Sequence, residues 1–494
     1  MIDSHVDVLI IGAGLSGIGT ACQITRAFPD KSIAVIERRE RLGGTWDLFR
    51  YPGIRSDSDM FTFGYQWRPW TDTKVLAPGA SIRDYIADTA VEYGIDERIR
   101  YGLKILSADW SSADARWTVT ALHEATGEER TLTCSFLVNC AGYYNYDNGH
   151  APTFPGAERF EGQTVHPQFW PEELDYTGKK VVVIGSGATA VTLVPSMAPT
   201  AGHVTMLQRS PSYVMSVPAE DKISPFLDRF LPSSAVYWMA RKRNIGIQRG
   251  LYLACGRWPN LMRRVLLSQV RRNIGPDVDM AHFTPSYKPW DERLCAVPNG
   301  DLFKALRSGE ASVVTGHIET FTEKGIRLTS GEELEADVIV TATGLEVKVM
   351  GGLTFTVDGE VRDVRDQMTY KAVMVEDLPN MAWVFGYTNA PWTLKSDLVA
   401  RYLIRLFQHM EENGHDIVVP VDSDDSALDD GIMDSLQSGY VQRAKDNMPR
   451  QGRHGAWKVL MHYGQDTRMM LEDPIDDGLL EFRRAEVQLE RASA

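Results

Sequence analysis

The sequence predicts an α/β fold made of two glycine-turn βαβ units, with a helical insertion in the second unit. Two apolar, strand-like segments, at residues 6–11 and 178–184, each lead into a glycine-rich turn and then a helical stretch. Residues 222–275 differ from the rest of the chain because they mix basic with aromatic and apolar side chains. These observations indicate two Rossmann-like dinucleotide-binding domains, a division that suits a chain of 494 residues.

The first glycine turn predicts a site for an adenosine cofactor. Gly12 allows the tight turn, Gly14 lets the backbone approach a pyrophosphate, and Gly17 permits close packing of helix on strand, while Ser16 opens the helix. Glu37 ends the next strand, where a carboxylate accepts hydrogen bonds from ribose hydroxyls. An acid at this position disfavours a 2′-phosphate, so the site suits FAD.

The second glycine turn predicts a different nucleotide. It comprises Gly185, Ser186, Gly187, Ala188, Thr189 and Ala190. The following strand ends in Gln208 and Arg209, at the place where the first unit has its glutamate. A guanidinium can hold a 2′-phosphate in a fork of charge-assisted hydrogen bonds, which favours NADPH over NADH. The alternative for Arg209 is a solvated residue at the end of a strand.

Two Gly- and Pro-rich segments follow the first unit, and both are candidates for cofactor contact. The candidate residues are Gly44, Thr45, Trp46, Arg55, Ser56 and Asp57. Paired glycines at residues 43 and 44 give the backbone close access to a ligand. For Asp57, an Asx turn or a helix N-cap is the structural alternative.

A linker between the two units carries a distinctive motif. Phe160, Gly162, His166, Trp170 and Pro171 reproduce the pattern F-x-G-x-x-x-H-x-x-x-W-P. Here the sequence resembles the type I Baeyer–Villiger monooxygenases, within the flavin-containing monooxygenase superfamily. Longer runs, among them the glycine-rich stretch at residues 43–60, resemble the ethionamide-activating branch. The alternative is a histidine packed on an indole in a linker.

The resemblance implies an activity and a set of roles. It implies an NADPH- and O2-dependent flavoprotein that converts ketones to esters or lactones through a flavin C4a-peroxide, with sulfoxidation as a side activity. It places Arg293 over the flavin and nicotinamide, with Asp57 holding it, although a surface ion pair is the alternative for Arg293. Glu292 stands where some relatives have a lysine that contacts the NADPH phosphate. His166 and Trp170 are expected to control domain orientation.

Three other function classes stay open at this stage. An N- or S-hydroxylating flavin monooxygenase would share both nucleotide folds. A disulfide reductase is opposed because the five cysteines include no Cys-x-x-Cys pair. A non-catalytic flavin-binding module would not need the second nucleotide site or Arg209.

The predicted domain boundaries follow from the order of these motifs. They are 1–150 for the first part of the FAD-binding domain, 151–215 and 293–380 for the two parts of the NADPH-binding domain, 216–292 for the helical insertion, and 381–494 for the rest of the FAD-binding domain with a C-terminal extension.

Composition limits the partners. A net charge of −14 argues against nucleic acid. Scattered cysteines and the absence of a secretory leader or a long apolar run predict a cytoplasmic protein. The basic stretch at residues 229–272 adds the hypothesis of a peripheral membrane contact, with solvated helix faces as the default. The sequence does not predict the oligomeric state.

Overall fold

The structure, a computed structural model, describes residues 2–292, 294–433 and 438–485. Its helices are α1 (Leu15–Ala27), α2 (Thr45–Leu48), α3 (Met60–Phe63), α4 (Gly79–Glu92), α5 (Ala188–Met197), α6 (Ile223–Leu227), α7 (Ser233–Arg257), α8 (Pro259–Ile274), α9 (Asp301–Arg307), α10 (Trp392–Asn413), α11 (Gly439–Ala444) and α12 (Tyr463–Leu471). The first strands are β1 (Ile2–Ile11), β2 (Ile33–Ile36), β3 (Ile99–Arg100), β4 (Leu103–Ser111), β5 (Arg116–His123), β6 (Glu128–Asn139), β7 (Tyr144–Gly149), β8 (Gln163–Val165), β9 (Lys180–Ile184), β10 (His203–Gln208), β11 (Val214–Val217) and β12 (Cys295–Pro298). The later strands are β13 (Ala311–Thr315), β14 (Ile318–Thr322), β15 (Gly325–Leu328), β16 (Glu333–Glu335), β17 (Val338–Thr341), β18 (Leu345–Val347), β19 (Thr354–Val357), β20 (Glu360–Arg362), β21 (Thr369–Tyr370), β22 (Met374–Val375), β23 (Met381–Trp383), β24 (Ile417–Pro420), β25 (Ala427–Gly431), β26 (Arg450–Gly452) and β27 (Leu480–Arg483).

The larger sheet is organised around β1, which lies between β2 and β6 and runs parallel to both. Along β1, Val8 and Ile10 enter one hydrophobic core, while Leu9 and Ile11 enter a second core. A strand covered on both faces needs a continuous apolar run, which is the pattern of residues 6–11. Strands β4 and β5 extend the sheet beyond β6 in antiparallel pairing.

The smaller sheet is entirely parallel, in the order β13-β10-β9-β17-β8. Its central strand β9 repeats the arrangement of β1, because Val181 and Val183 face one core while Val182 and Ile184 face another. Both glycine turns therefore follow a strand that has a parallel neighbour on each side and is covered on both faces. The predicted α/β fold class is confirmed.

Two crossing segments connect the sheets, and they pair with each other. The first is β7 and the second is β18, which lie antiparallel. Asp147 on β7 forms an ion pair with Lys348, directly after β18, at 3.2 Å. It also contacts Arg38 and Lys104 of the larger sheet. The hydrogen bond from Arg38 and the surrounding positive charge lower the pKa of Asp147 to about 2.

The motif segment at residues 160–171 packs beside this crossing. Its strand β8 forms the edge of the smaller sheet. His166 Nδ1 accepts a hydrogen bond from the Gln168 backbone N–H at 3.2 Å, and the Gln168 side chain donates to the Asn145 carbonyl at 2.7 Å. A Cβ at Gly149 would lie only 2.1 Å from the His166 ring, so the imidazole rests directly on the backbone of β7. The motif therefore contacts one of the two connections between the sheets.

The insertion contains α6, α7 and α8, with α7 and α8 joined at Trp258. Arg241 is buried on α7 and donates to the carbonyl oxygens of Phe61 and Gly64, each at 2.9 Å. It also lies 3.6 Å from Asp397 of α10. These contacts fasten α7 to the larger sheet's helices.

Three of the ten basic residues that the sequence assigned to an exposed stretch are engaged inside the protein. Besides Arg241, Arg243 pairs with Asp221 at 2.8 Å and Arg263 donates to the Tyr213 hydroxyl at 2.8 Å. The default expectation of solvated helix faces does not describe these three residues, because each of them finds oxygen acceptors on neighbouring elements. The other seven basic residues are exposed.

Helix α10 begins at Trp392, directly after Pro391. The polar residues of this first turn are buried, and Thr393 donates its hydroxyl proton to the Phe63 carbonyl. Strand β19 joins the larger sheet beside β4, so the chain returns to that sheet before the expected boundary at 381. The division into domains stays a prediction.

Among the described residues, no helix has the length and apolar composition that crossing a membrane requires.

The ionic link between the crossing segments gives a testable pH dependence. The folded-state pKa of Asp147 lies below its ordinary value of 3.8, so its ion pairs stabilise the fold above about pH 4 and this contribution is lost as the pH falls toward 2. We expect Asp147→Asn to lower the free energy of unfolding by about 1–2 kcal/mol at pH 7, allowing for partial exposure.

Urea unfolding at several pH values measures this difference. The gap between wild type and Asp147→Asn should be constant from pH 5 to 8 and shrink below pH 4. Asp88→Asn, at an exposed position on α4, is the matched control and should show no gap. An equal gap for both variants would contradict the assignment.

Candidate functional site

The first glycine turn fits a phosphate at the backbone. Gly12 has φ +98°, and a Cβ there would lie 2.7 Å from the Cys140 carbonyl oxygen. A Cβ at Gly17 would lie 1.8 Å from the Gly12 carbonyl oxygen, so only glycine permits this packing of α1 on β1. Helix α1 begins after Gly14 without a side-chain cap. The N–H groups of its first turn therefore remain available to an anion.

Glu37 stands beside this turn at the end of β2. Its carboxylate accepts a hydrogen bond from the Ala13 backbone N–H at 2.8 Å and another from the Arg39 N–H at 2.9 Å. The side chain is buried, and burial raises the pKa of Glu37. Two backbone donors hold the carboxylate in place at the end of the strand.

The opposite wall of the site comes from the second glycine pair and from aromatic side chains. Gly44 has φ +56°, and a Cβ there would lie 3.0 Å from the Gly14 Cα, so the two turns approach each other at backbone distance. Trp392 donates its indole N–H to the Ser16 hydroxyl at 2.8 Å and stacks on Tyr143 with ring centroids 5.2 Å apart. The backbones of Gly14 and Gly44 approach closely because neither residue has a side chain, and the rings of Trp392 and Tyr143 lie beside them. This arrangement suits a planar cofactor that is joined to phosphates.

These walls enclose a cleft, here called the first cavity, with about 1490 Å³ of empty space that includes its opening to solvent. The sequence-predicted residues on its wall are Gly12, Gly14, Ser16, Glu37, Gly44, Thr45, Trp46 and Asp57. Residues from four separate segments of sequence thus meet in one cleft. Their individual contacts with a cofactor stay predictions.

A second cavity adjoins the first, with about 1500 Å³ of empty space including its opening. The two share Asp57, Ser58 and Ala390. Apolar residues of its wall come from the segment before α4, from the smaller unit, from the insertion and from the loop before α10; they include Val75, Leu76, Met215, Val217, Ile223, Ile247, Leu251, Leu294, Ala296 and Pro391. Asp57 therefore stands where the first cavity meets the second, whose wall is mostly apolar.

Arg55 and Ser56 lie next to Asp57 but make other contacts. Arg55 forms an ion pair at 2.6 Å with Asp301, the first residue of α9. The Ser56 hydroxyl donates to the Ser58 carbonyl at 2.7 Å and shapes the turn. Neither residue lies on the described wall of the first or the second cavity. Their predicted contact with a cofactor stays a prediction.

The second glycine turn has the geometry of the first. Gly185 has φ +141°, and a Cβ there would lie 2.4 Å from the Ala342 carbonyl oxygen. Gly187 precedes α5, and a Cβ there would meet no described atom within 4 Å. The Ser186 hydroxyl shares a hydrogen bond with that of Ser212 at 2.9 Å. The turn therefore presents an open helix N-terminus at the end of β9, where Ala188, Thr189 and Ala190 begin the helix.

Gln208 and Arg209 end β10 with different roles in the packing. The Gln208 amide is buried and donates to the His282 carbonyl at 2.7 Å and to the Thr315 hydroxyl at 2.9 Å. Arg209 is exposed. Burial raises the pKa of Glu292 and the charge of Arg209 opposes that rise, so this carboxylate lies within electrostatic range of the guanidinium.

Arg293, the residue with the main predicted catalytic role, lies outside the described residues. Its neighbours Trp290 and Leu294 line the second cavity. The motif residues Phe160, Gly162, His166 and Trp170 are absent from the described walls of both cavities. Of these residues, His166 contacts the first crossing segment at Gly149. This contact agrees with the expected role in domain orientation, which stays a prediction.

The structure reveals a buried network that the sequence reasoning missed. Tyr387, on the wall of the first cavity, donates its hydroxyl proton to Asp466 of α12 at 2.7 Å. Lys395 of α10 donates to the same carboxylate oxygen at 2.9 Å. Burial lowers the pKa of Lys395, and the Asp466 charge opposes that shift. Asp466 lies in no motif and 71 residues from Lys395, so the sequence contained no local signal for the network.

The cysteines are all buried and form no disulfide in the described part of the chain. Cys140 lies on the wall of the first cavity, where burial raises the pKa of its thiol to about 12. The thiol is therefore protonated at neutral pH, as expected for a residue that does no redox chemistry.

Comparison with known proteins places this architecture in a family. Residues 72–408 match the flavin-binding monooxygenase-like family, and residues 10–72 match an NAD(P)-binding Rossmann-like domain. The chain belongs to the flavin-binding monooxygenase-like family. The predicted family resemblance and the predicted enzyme class, a flavin-dependent monooxygenase, are confirmed.

Individual relatives span nearly the whole chain. The putative FAD-containing monooxygenase MymA of Mycobacterium tuberculosis (strain CDC 1551 / Oshkosh) is 66% identical over 487 residues, which cover 98% of each chain. The FAD-containing monooxygenase EthA of the same strain is 50% identical over 482 residues, covering 97% of this chain and 98% of the relative. The fold is similar to that of an oxidized steroid monooxygenase bound to NADP, with a TM-score of 0.77, 20% identity, and coverage of 97% of this chain and 100% of the other.

The open space at Gly187 gives a direct test of the second nucleotide site. In Gly187→Ala the new methyl group would meet no described protein atom, so the fold should be unaffected while a bound pyrophosphate would be displaced. We expect the melting temperature and flavin absorbance of wild type, with a KM for NADPH raised about tenfold or more.

Gly94→Ala is the control for backbone effects. A Cβ at Gly94 also meets nothing within 4 Å, but this residue follows α4 and is not part of the second glycine turn. Because Gly94 has φ +62°, this control should cost some stability while leaving the KM for NADPH unchanged. An unchanged KM in Gly187→Ala would remove the turn from the nucleotide site.

Proposed function

We propose that this protein is an NADPH- and O2-dependent Baeyer–Villiger monooxygenase. FAD occupies the first cavity, NADPH binds the second glycine turn, and a ketone occupies the second cavity, where it is converted to an ester or lactone. A sulfide is the proposed alternative substrate. The observation that carries the proposal is the junction, at Asp57, of the cleft beside the first glycine turn with a second cavity whose wall is mostly apolar.

The first cavity suits FAD at both of its ends. At one end, the carboxylate of Glu37 is held by backbone donors where it can accept hydrogen bonds from ribose hydroxyls. At the other end, Trp46 and Trp392 provide flat apolar walls beside the backbone of Gly44. When bound, the flavin supplies the redox chemistry that takes hydride from NADPH and activates O2.

Arg209 is the proposed recognition element for the 2′-phosphate of NADPH. It is exposed at the end of β10 in the smaller sheet, whereas Glu37, at the end of β2 in the larger sheet, is buried. A lysine contact at residue 292 is unavailable because the position is a glutamate, so Arg209 carries the phosphate contact with Lys288 as a second candidate. The carboxylate of Glu37 in one unit and the guanidinium of Arg209 in the other support two kinds of adenosine site, one without and one with a 2′-phosphate.

The second cavity supplies two conditions that oxygen transfer to a ketone needs. Its mostly apolar wall would limit the water near the reacting atoms, and water there would divert the reaction to hydrogen peroxide. Negative charge that develops on oxygen in such a site requires a fixed cation. Arg293 is the proposed cation, since a guanidinium keeps its proton where a lysine would lose it, and Asp57 is proposed to orient it.

The residues of the motif are proposed to act at a distance from the reacting atoms. His166 rests on Gly149 of the first crossing segment, and Gln168 holds the same segment through Asn145. Through these contacts the motif would set the angle between the two sheets, and hence the distance from the second glycine turn to the first cavity. This role explains why a histidine and a tryptophan outside both cavities accompany the nucleotide turns.

The choice of reductant tests the assignment of Arg209. Replacing its guanidinium removes charge-assisted hydrogen bonds to the phosphate, each worth about 1.5–3 kcal/mol. We expect Arg209→Ala to lower kcat/KM for NADPH by about 10- to 100-fold and to leave kcat/KM for NADH nearly unchanged. Arg116→Ala, at the exposed start of β5 in the other sheet, should change neither value. Equal losses with both reductants would contradict a phosphate-specific role.

The reaction itself is tested by NADPH-dependent O2 uptake with a panel of ketones, sulfides and amines, followed by product analysis. We expect ester or lactone from at least one ketone, with consumption of O2 matching product. Arg293→Ala should lower the rate of ester formation about 100-fold, corresponding to roughly 3 kcal/mol for a lost oxyanion donor, while retaining flavin absorbance.

Two results would overturn the proposal. One is peroxide as the sole product with every ketone while an amine or sulfide is oxygenated, which would indicate an N- or S-hydroxylating enzyme. The other is a purified protein that binds no flavin.

A further inference from the structure

The exposed apolar side chains of the protein are concentrated in the insertion. In the part of the chain that the structure describes, twelve of the fifteen exposed large apolar residues lie between residues 223 and 265. They are Ile223, Phe226, Phe230, Leu231, Trp238, Met239, Ile247, Tyr252, Leu253, Trp258, Leu261 and Val265. Scattered single exposures need no explanation, but a cluster on one substructure marks an interaction surface. We call this set, with the exposed basic residues among it, the insertion surface.

One face of α7 shows how the surface is composed. Trp238, Lys242, Arg249 and Leu253 are all exposed and are spaced by four, seven and four residues, so they form a single stripe along the helix. Lys242 lies over the Trp238 ring at 5.4 Å. Arg241, three residues after Trp238, lies on the neighbouring face of the helix, where it is buried and makes the anchoring hydrogen bonds. The hydrogen bonds of Arg241 fix the rotation of α7, so the stripe faces away from the rest of the protein.

The second helix repeats the composition. On α8, Leu261, Arg264, Val265 and Arg271 are exposed, while Leu266, Val270 and Ile274 are buried. Near the start of the insertion, Phe226 and Phe230 are exposed and contact each other with ring centroids 5.5 Å apart. Both helices and the segment before them thus combine large apolar groups with cations.

The charge of this surface is opposite to that of the whole protein. Seven exposed basic residues belong to it: Arg229, Lys242, Arg249, Arg257, Arg264, Arg271 and Arg272. Asp228 is the only acid between residues 223 and 275, in a chain of net charge −14. Cations whose aliphatic stems lie among tryptophan and leucine side chains match the boundary between lipid headgroups and acyl chains.

The second cavity opens at this surface. Ile223 and Ile247 line the cavity and are 54% and 61% exposed, so they stand at its rim. Leu251, one turn beyond Ile247 on α7, continues the apolar wall inward. The second cavity therefore reaches from the insertion surface to the junction at Asp57, and its wall combines apolar side chains with polar ones such as Arg243 and Gln248.

We propose that the insertion surface docks on an anionic lipid bilayer and that the second cavity receives its substrate from that bilayer. The substrate class is then a long-chain ketone or sulfide that partitions into membranes. The docking stands independently of the reaction, whereas the delivery of substrate rests on the proposed function. The bilayer is favoured over a protein partner because the cations are spread over both helices and the segment before them, which suits a planar anionic surface.

The docking is tested with the flavin-loaded full chain and sedimented vesicles. We expect binding to phosphatidylglycerol–phosphatidylcholine vesicles, at least tenfold weaker binding to pure phosphatidylcholine vesicles, and loss of binding as salt is raised. Each removed cation should weaken binding about fivefold, so Arg249→Ala combined with Arg264→Ala should weaken it about 25-fold. Trp238→Ser combined with Leu253→Ser should also abolish most binding at low salt.

The matched control is Val91→Ser combined with Val361→Ser, because both valines are strongly exposed but lie outside the insertion. This control should bind like wild type. Absence of binding to anionic vesicles, or equal loss in the control, would overturn the docking. A third result would also overturn the docking: an oligomer of the wild type, detected by light scattering, that dissociates in the Trp238→Ser, Leu253→Ser variant. The insertion surface would then join copies of the chain.

Delivery is tested by comparing two ketones in O2 uptake and product assays. The docking-deficient variants should lose at least tenfold in turnover of a long-chain ketone embedded in vesicles and retain wild-type turnover of a short, water-soluble ketone. Equal turnover of the embedded ketone by wild type and variants would overturn delivery from the bilayer. If neither ketone is oxygenated while vesicle binding persists, the proposed reaction fails and the docking stands.

Discussion

The antiparallel pairing of β7 with β18 is the constraint on which the site depends. Each strand is a connection between two sheets that have separate cores, and their pairing holds those sheets at one relative position. Asp147 adds an ionic contact to this pairing through Lys348, and the motif segment adds His166 and Gln168. The pairing of these two linkers therefore contributes to the geometry of the junction, together with contacts such as the Arg55–Asp301 ion pair.

The nucleotide turns were predictable because their function is a property of the backbone. At Gly12, Gly17 and Gly185 the space for a Cβ is occupied by a carbonyl oxygen, so the local sequence must show glycine. The apolar runs before them were equally informative, since strands covered on both faces tolerate little polarity. Such features appear within short windows of sequence, and the fold class follows from them.

Contacts between distant segments were not predictable in the same way. Arg241 belongs to a basic stretch, and nothing in its neighbourhood indicates that carbonyl groups at Phe61 and Gly64 bind it in the interior. The Tyr387–Asp466–Lys395 network joins a loop, α12 and α10. Likewise, the second cavity is formed by side chains from many segments, so its existence depends on packing and no short window of sequence shows it. The sequence identified Asp57 as a candidate, while its place at the junction emerged only from the fold.

The cysteines carry a consequence for an enzyme that handles oxygen. A flavin that reacts with O2 can release hydrogen peroxide, and peroxide attacks thiolates far faster than thiols. Burial raises the pKa of Cys22 and Cys140 to about 12, and Cys140 borders the first cavity itself. Uncoupled turnover would therefore leave these sulfur atoms intact, and the catalytic lifetime of the protein would be limited by more exposed oxidisable groups.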